Sequence, residues 1–157
     1  MTASSAKPDP IPAPNLRDWQ RVHLERYLAT GGEDGYWWTS PRPGIPGPQP
    51  TLILTTTGRK SGRRYLNPLI FGEDAGACIV VASRGGAPAH PAWYVNLVAT
   101  PEVEVQIRTR KFTARARTAK GEERARLWKL MATIYPSYDE YQKVAGREIP
   151  VVVLDPA

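Results

Sequence analysis

The sequence predicts a small, mostly antiparallel β-barrel of the α+β class, with a few flanking helices. Three observations predict it. Several short runs rich in β-branched and aliphatic residues are bounded by Gly, Pro and Asp turns. Residues 102–108 (EVEVQIR) and 111–117 (KFTARAR) alternate strictly, with only Thr109-Arg110 between them, the pattern of a half-buried hairpin. Amphipathic helical segments enter at a few points and do not follow every strand, which argues against a parallel α/β sheet.

Taken in order, residues 1–14 hold four prolines and small polar residues and read as a mobile tail, leaving 15–157 as the folded domain. Asn15 is placed to cap a helix to Thr30, stopped by Gly31-Gly32. Leu16, Trp19, Val22, His23 and Tyr27 form an apolar-aromatic stripe on it. The stripe packs on the domain, or serves as a lid, or meets an anionic membrane surface beside Arg17, Arg21 and Arg26. Five prolines between Pro41 and Pro50 exclude a helix or central strand there. Thr51 to Thr57 and Tyr65 to Phe71 read as strands of a tight hairpin whose tip carries Arg59, Lys60, Arg63 and Arg64 and no acid. Residues 73–76 read as a turn and 78–83 as a strand, followed by an Arg84-Gly85-Gly86 loop and a short helix after Pro91. Glu122 to Ile134 is an amphipathic helix, Ser137 with Glu140 is a capping-box pattern for another, and Ile149 to Leu154 is a closing strand.

The formal net charge of +6 comes from one region: residues 51–118 carry ten Lys/Arg against four Asp/Glu, while the flanks balance. A localised basic face predicts an acidic partner, whether nucleic acid, anionic lipid or a polyanionic small molecule. The single cysteine, Cys78, lies in an apolar run and reads as a buried structural thiol, consistent with a cytoplasmic protein. Two histidines and no cysteine cluster argue against a metal site, and no apolar run approaches the ~20 residues that span a bilayer.

Two glycine-containing corners, Gly58 to Gly62 and Ser83 to Gly86, each join a strand end to cations, an arrangement suited to phosphate or carboxylate. The first is not a P-loop, because it lacks the upstream glycine and leads into a strand. Tyr135, Tyr138 and Tyr141 recur at i, i+3, i+6 and would share a helical face suited to a planar heteroaromatic ligand. Neither a Ser-His-Asp or Cys-His arrangement nor a carboxylate pair is evident, so chemistry carried by a cofactor fits better than hydrolysis.

LTTTGRKSGRRYLNPLIF, VVASRGGAPAHPAWYVNLVATPEVEVQI and YPSYDEYQ, in that order and spacing, resemble the deazaflavin-dependent nitroreductase family of actinobacteria, over roughly Trp19 to Leu154. The resemblance implies a split β-barrel related to flavin-binding oxidoreductases, and hydride transfer from C5 of reduced coenzyme F420 to a quinone, an enone or other activated alkene, or a nitroarene. It assigns Arg59, Lys60 and Ser61 to the phosphate and oligoglutamate tail of F420. Tyr65, Leu66, Asn67, Pro68, Leu69 and Ile70 then line the cofactor. Val81, Ala82, Ser83 and Arg84, with Ala92, Trp93, Tyr94, Val95 and Asn96, frame the deazaflavin ring and ribityl chain. Tyr138 faces the ring across the substrate, between Tyr135 and Tyr141. The anionic tail of F420 accounts for the local positive charge without nucleic acid. An FMN-dependent barrel enzyme, a noncatalytic F420 carrier and a single-strand nucleic-acid binder are the alternatives.

Overall fold

The computed structural model describes residues 8–157. In chain order its elements are β1 (Ile11–Pro12), α1 (Asp18–Thr30), β2 (Trp37–Trp38), β3 (Gln49–Thr57), β4 (Arg64–Ile70), β5 (Gly72–Asp74) and β6 (Ala77–Val81). A 3₁₀ turn (Arg84–Gly86) and α2 (Ala92–Ala99) follow, then β7 (Glu102–Ile107), β8 (Arg110–Thr118), α3 (Gly121–Ile134), α4 (Ser137–Ala145) and β9 (Val151–Pro156). The strands form one sheet in the order β1-β4-β3-β7-β8-β9-β6-β5, with β2 paired to β3 off this path. All pairings are antiparallel except β1 with β4. The sheet rolls into a split barrel of the α+β class, and β4 and β6 approach each other across the split.

Period-two alternation decides which side chains fill the barrel. Leu52 and Leu54, Cys78, Val80 and Ala82, Val103 and Val105, Ala114 and Ala116, and Val152 and Leu154 pack together inside. Cys78 behaves as expected of a buried thiol: burial pushes its pKa up to about 11. The outer face of β6 and β9 (Ile79, Val81, Val151, Val153) is covered by Leu127 and Met131 of α3 and by Tyr138 of α4. This second covered face is why both strands read as continuous apolar runs and not as alternation. A third cluster sets Leu24 and Tyr27 of α1 on Ile53 of β3 and Leu66 of β4. Helices thus cover both flanks of the split.

Several boundaries differ from the sequence reading. Of the expected tail, residues 1–7 lie outside the described residues, but Ile11–Pro12 pairs with Tyr65 and Leu66, and the Ala13 N–H donates to Leu66 O. Apolar Ile11 and a free strand edge outweigh the local proline content. Helix α1 is capped at Arg17, not Asn15: the Arg17 N–H donates to Gln20 Oε1 at 2.8 Å, while Gly31, at φ 60°, ends the helix as expected. The proline-rich stretch contributes Gln49 and Pro50 to β3, where they pair with the short β2. Residues 72–74 are a strand, and the turn is confined to Ala75-Gly76. In the β7–β8 hairpin Ile107 faces Arg110, so the turn is Arg108-Thr109, with Arg108 at φ 56°. Pro136, not Ser137, sits at the cap position of α4, and Ser137 makes no capping hydrogen bond. The three tyrosines therefore share no helix: Tyr135 ends α3, and Tyr138 and Tyr141 lie on α4.

Tyr27 ties α1 to the barrel. Its buried hydroxyl donates to Thr51 O and accepts from the Arg108 N–H, both at 2.9 Å. Tyr27→Phe removes both bonds without changing the ring. We expect a loss of about 1–2 kcal/mol, read as a lower denaturant midpoint at unchanged slope.

Candidate active site

A cavity of about 760 Å³ opens over the split, between α1 on one flank and α3–α4 on the other. Its floor comes from β4 and the end of β6, and its far end from the β3–β4 turn and the start of α2. Both glycine corners singled out in the sequence meet there.

The β3–β4 turn is closed from within. The Gly58 N–H donates to Arg63 O at 2.7 Å, and the Gly62 N–H to Gly58 O at 2.9 Å. A Cβ on Gly58 would lie 2.7 Å from Tyr65 Cε2, so a side chain there would displace the tyrosine. The buried Asn96 of α2 accepts at Oδ1 from both the Arg59 N–H (3.2 Å) and Arg59 Nη1 (3.1 Å), holding the tip against the helix. The Arg63 N–H donates to Ser61 Oγ at 3.1 Å, and that hydroxyl meets Tyr65 OH at 3.2 Å. The N–H groups of Gly58, Gly62 and Arg63 therefore serve the turn itself and that of Arg59 serves Asn96, and the turn lends the cavity the side chains of Arg59, Lys60 and Ser61.

The lining holds five cations, Arg17, Arg42, Arg59, Lys60 and Arg84, and no Asp or Glu. None of the five is in an ion pair among the described residues. The expectation of four cations at one tip is corrected in detail. Arg64 turns away to Glu104 Oε2 (2.7 Å) and Pro8 O (2.7 Å), and Arg63 lies off the lining. Strand alternation at the start of β4 sends Arg64 to the side opposite Tyr65.

Aromatic rings form the opposite wall. Trp19 of α1 stacks on Trp38 at 5.5 Å, Trp38 lies 6.2 Å from Tyr135, and Tyr135 meets Tyr138 edge-on at 5.1 Å. The Tyr135 and Tyr141 hydroxyls approach to 3.3 Å, and the Arg42 guanidinium lies 5.9 Å from the Tyr141 ring. Burial, reinforced by the two neighbouring phenols, pushes the Tyr138 pKa far above that of a free phenol. Burial does the same to Tyr141, up to about 12, so both stay protonated at neutral pH. His23 also lines the cavity. Its Nε2–H donates to Gly35 O at 2.8 Å, and burial lowers its pKa.

Of the residues expected to form a site, Arg59, Lys60, Ser61, Tyr65, Asn67, Pro68, Leu69, Ile70, Val81, Ser83, Arg84, Ala92, Trp93, Val95, Asn96, Tyr135, Tyr138 and Tyr141 all line this one cavity. Leu66, Ala82 and Tyr94 do not. Leu66 faces α1, Ala82 faces into the barrel, and Tyr94 turns its hydroxyl to Thr118 Oγ1 at 2.8 Å. The first two follow from alternation, since their strand neighbours point the other way. Residues missed by sequence reasoning come mainly from the chain before β3, among them Leu16, Arg17, Trp19, His23, Trp38 and Arg42, with Thr51, His90 and Pro91 beyond it. The aromatic stripe on α1 was the available signal, because its Trp19–His23 face lines the cavity while Leu24 and Tyr27 anchor the helix.

The fold and site together define a split-barrel protein with a cationic, aromatic-walled cavity over the split. The sequence matches the family model described as F420H(2)-dependent quinone reductase over residues 19–156. An F420H(2)-dependent quinone reductase of Mycobacterium tuberculosis (strain ATCC 25618 / H37Rv) is 37% identical over 137 residues, covering 85% of this chain and 87% of that protein. Among solved structures, an F420-H2 dependent reductase, FDR-A, superposes with a TM-score of 0.63 at 43% identity, covering 67% of this chain and 93% of its own. A second, described as a domain-swapped dimer, gives 0.65 at 40% identity over 88% and 98% of the two chains. The chain belongs to the F420H(2)-dependent quinone reductase family, and so to the oxidoreductases that work with reduced coenzyme F420.

The partly buried His23 and the exposed His90 make stability depend on pH. Burial lowers the pKa of His23, and burial followed by Arg147 lowers that of His90. The unfolded chain therefore takes up these protons first as pH falls, and stability drops through and below the ordinary imidazole value. Between about pH 7.5 and pH 5.5 the melting temperature should fall, and fall less in His23→Gln and His90→Gln than in the parent.

Proposed function

We propose that the cavity holds F420H2 with its phosphate and carboxylate tail on Arg59, Lys60 and Arg84, and that an electron-poor acceptor lies against the tyrosine wall. The observation that carries this reading is the lining itself, five cations without a carboxylate at the edge of an aromatic pocket. A tail of several negative charges would relieve the mutual repulsion of these groups, and apolar walls suit a flat ring. A cavity of about 760 Å³ lies in the range that receives cofactor-sized ligands.

When bound, F420H2 supplies the hydride that reduces the acceptor. The protein's part is positioning and polarity. Asn96 fixes Arg59, and the two cationic corners set where the anionic end lies. Leu69, Ile70 and Val81 offer apolar surface, and Trp38 and Tyr135 narrow the space above it and exclude water. Tyr138, held protonated by its burial, donates a hydrogen bond to the acceptor oxygen as negative charge develops there. Tyr135 and Tyr141 share a hydrogen bond that limits where Tyr141 can turn.

A quinone is the acceptor class for which the family is named, and enones and nitroarenes extend the proposal because they present the same electron-poor π surface. Peripheral contact with an anionic membrane is a further part of it. Trp19 (38% exposed), Val22 (44%) and Leu28 (40%) protrude from α1 beside Arg17, Arg21 and Arg26, whose side chains face solvent. No described helix is long and apolar enough to cross a membrane. Flotation with anionic but not neutral vesicles, abolished by Trp19→Ser with Val22→Ser, is the expected result for this surface.

The central test is to titrate the protein with F420 and then mix the reduced complex with menadione, an enone and a nitroarene. Oxidation of F420H2 by menadione is expected; binding without turnover of any acceptor would leave a carrier, and no binding would refute the reading. Arg59→Ala with Lys60→Ala should weaken F420 binding by roughly a hundredfold at low salt and flatten its salt dependence. Tyr138→Phe should lower kcat by about 10²-fold while F420 affinity stays within a factor of two. Unchanged kcat would remove Tyr138 from the reaction.

A further inference from the structure

We infer that Arg147, which lies outside the cavity, is a positioning residue that holds the Arg84 corner in its ligand-binding shape. The inference rests on the reading of the cavity as the F420 site.

Arg147 follows the glycine that ends α4, and its guanidinium reaches across to the loop after β6. Nε donates to Ala87 O (3.1 Å), and Nη2 to Ala82 O (3.3 Å), Ser83 O (3.1 Å) and Ala89 O (3.1 Å). Nη1 donates to His90 Nδ1 (3.0 Å), which places the proton of the neutral imidazole on Nε2. Among the described residues this guanidinium pairs with no carboxylate. A rigid planar fork is thus used to gather carbonyls from both ends of one loop, a task a single ammonium cannot perform.

Between the two anchored ends lie Arg84, Gly85 and Gly86, with φ of 47°, 63° and 84°. Left-handed backbone is ordinary for the glycines and unfavourable for an arginine, and it persists only where the surroundings over-determine it. Two contacts do so here. The Arg147 fork holds the loop ends, and Gly86 lies so close to α4 that a Cβ would sit 3.2 Å from the backbone of Tyr141. The loop carries the one cation that enters the cavity from this side, Arg84. Arg147 and Tyr141 belong to the same stretch of chain, so the fork also sets the cationic corner relative to the tyrosine wall. Two arginines brought together oppose one another, and the carbonyl set around Arg147 offsets this. Arg84 is left for a ligand.

The test uses Arg147→Lys, which keeps the charge and loses the fork. We expect its Kd for F420 to rise about tenfold and its KM for F420H2 to rise with it, with kcat at saturating F420H2 within a factor of two. Arg84→Ala should raise the Kd similarly, and the double variant should bind no more weakly than Arg84→Ala, because Arg147 acts through Arg84. An unchanged Kd in Arg147→Lys, with only a lower melting temperature, would reduce Arg147 to a structural residue and overturn the inference; additive losses in the double variant would overturn it too. If Arg84→Ala binds F420 as tightly as the parent, the placement of the anionic tail at this corner fails, and the inference fails with it. Should Arg147→Lys not fold, amide exchange in the parent decides. The Gly86 and Ala87 N–H groups, bonded to Ser83 O and Arg84 O, should gain protection on F420 binding, and no gain would overturn the inference.

Discussion

Five like charges at the edge of one cavity repel one another, and much of the surrounding structure holds them in place without neutralising them. Several carboxylates pair with arginines outside the cavity: Glu104 with Arg64, Asp74 with Arg126, Glu123 and Asp155 with Arg117. Two of the cationic corners are instead held without a carboxylate. Asn96 holds Arg59 through an amide oxygen, and the Arg147 guanidinium is bonded to carbonyls of the Arg84 loop. Holding them this way fixes geometry and leaves the positive potential intact for an anion.

The split barrel makes this arrangement reachable. Its interior is filled by apolar side chains, mostly small or branched with Phe71 and Trp93 among them, so the barrel is a packed core and the site forms on its outer surface. At the split, β4 and the end of β6 line the cavity between α1 and α4. The β3–β4 turn, the β6–α2 loop and the α3–α4 junction therefore converge although they lie far apart in sequence. Burial raises the pKa values of Tyr138 and Tyr141, so both remain neutral donors opposite the cationic edge.

The barrel strands were legible because their residues obey alternation or, where both faces are covered, form apolar runs. Errors fell where local chemistry competes with tertiary pairing. Asn15 is a better intrinsic cap than Arg17, yet Ala13 is drawn to β4 and the helix starts later. Ile11-Pro12 and Gln49-Pro50 look like coil by composition and become strand because an open edge accepts them. Most of the candidate site was visible as two cationic corners and a tyrosine repeat. Leu66, Ala82 and Tyr94 were included because a contiguous motif carries residues of both faces; alternation turns Leu66 and Ala82 away, and Tyr94 lies on the side of α2 that meets Thr118.

The sequence alone determined where cations gather without acids, which stretches alternate, and where tyrosines recur at close spacing. These are properties of composition and short-range spacing, and folding cannot alter them. Tertiary structure decided convergence. It brought Arg17, Trp19, His23, Trp38 and Arg42 to the same cavity as the two corners, sent Arg64 to Glu104, and set the fork of Arg147 under the Arg84 loop. Contacts between residues tens of positions apart depend on how the sheet rolls and which helix covers which face, and that information resides in packing, not in any local run of residues.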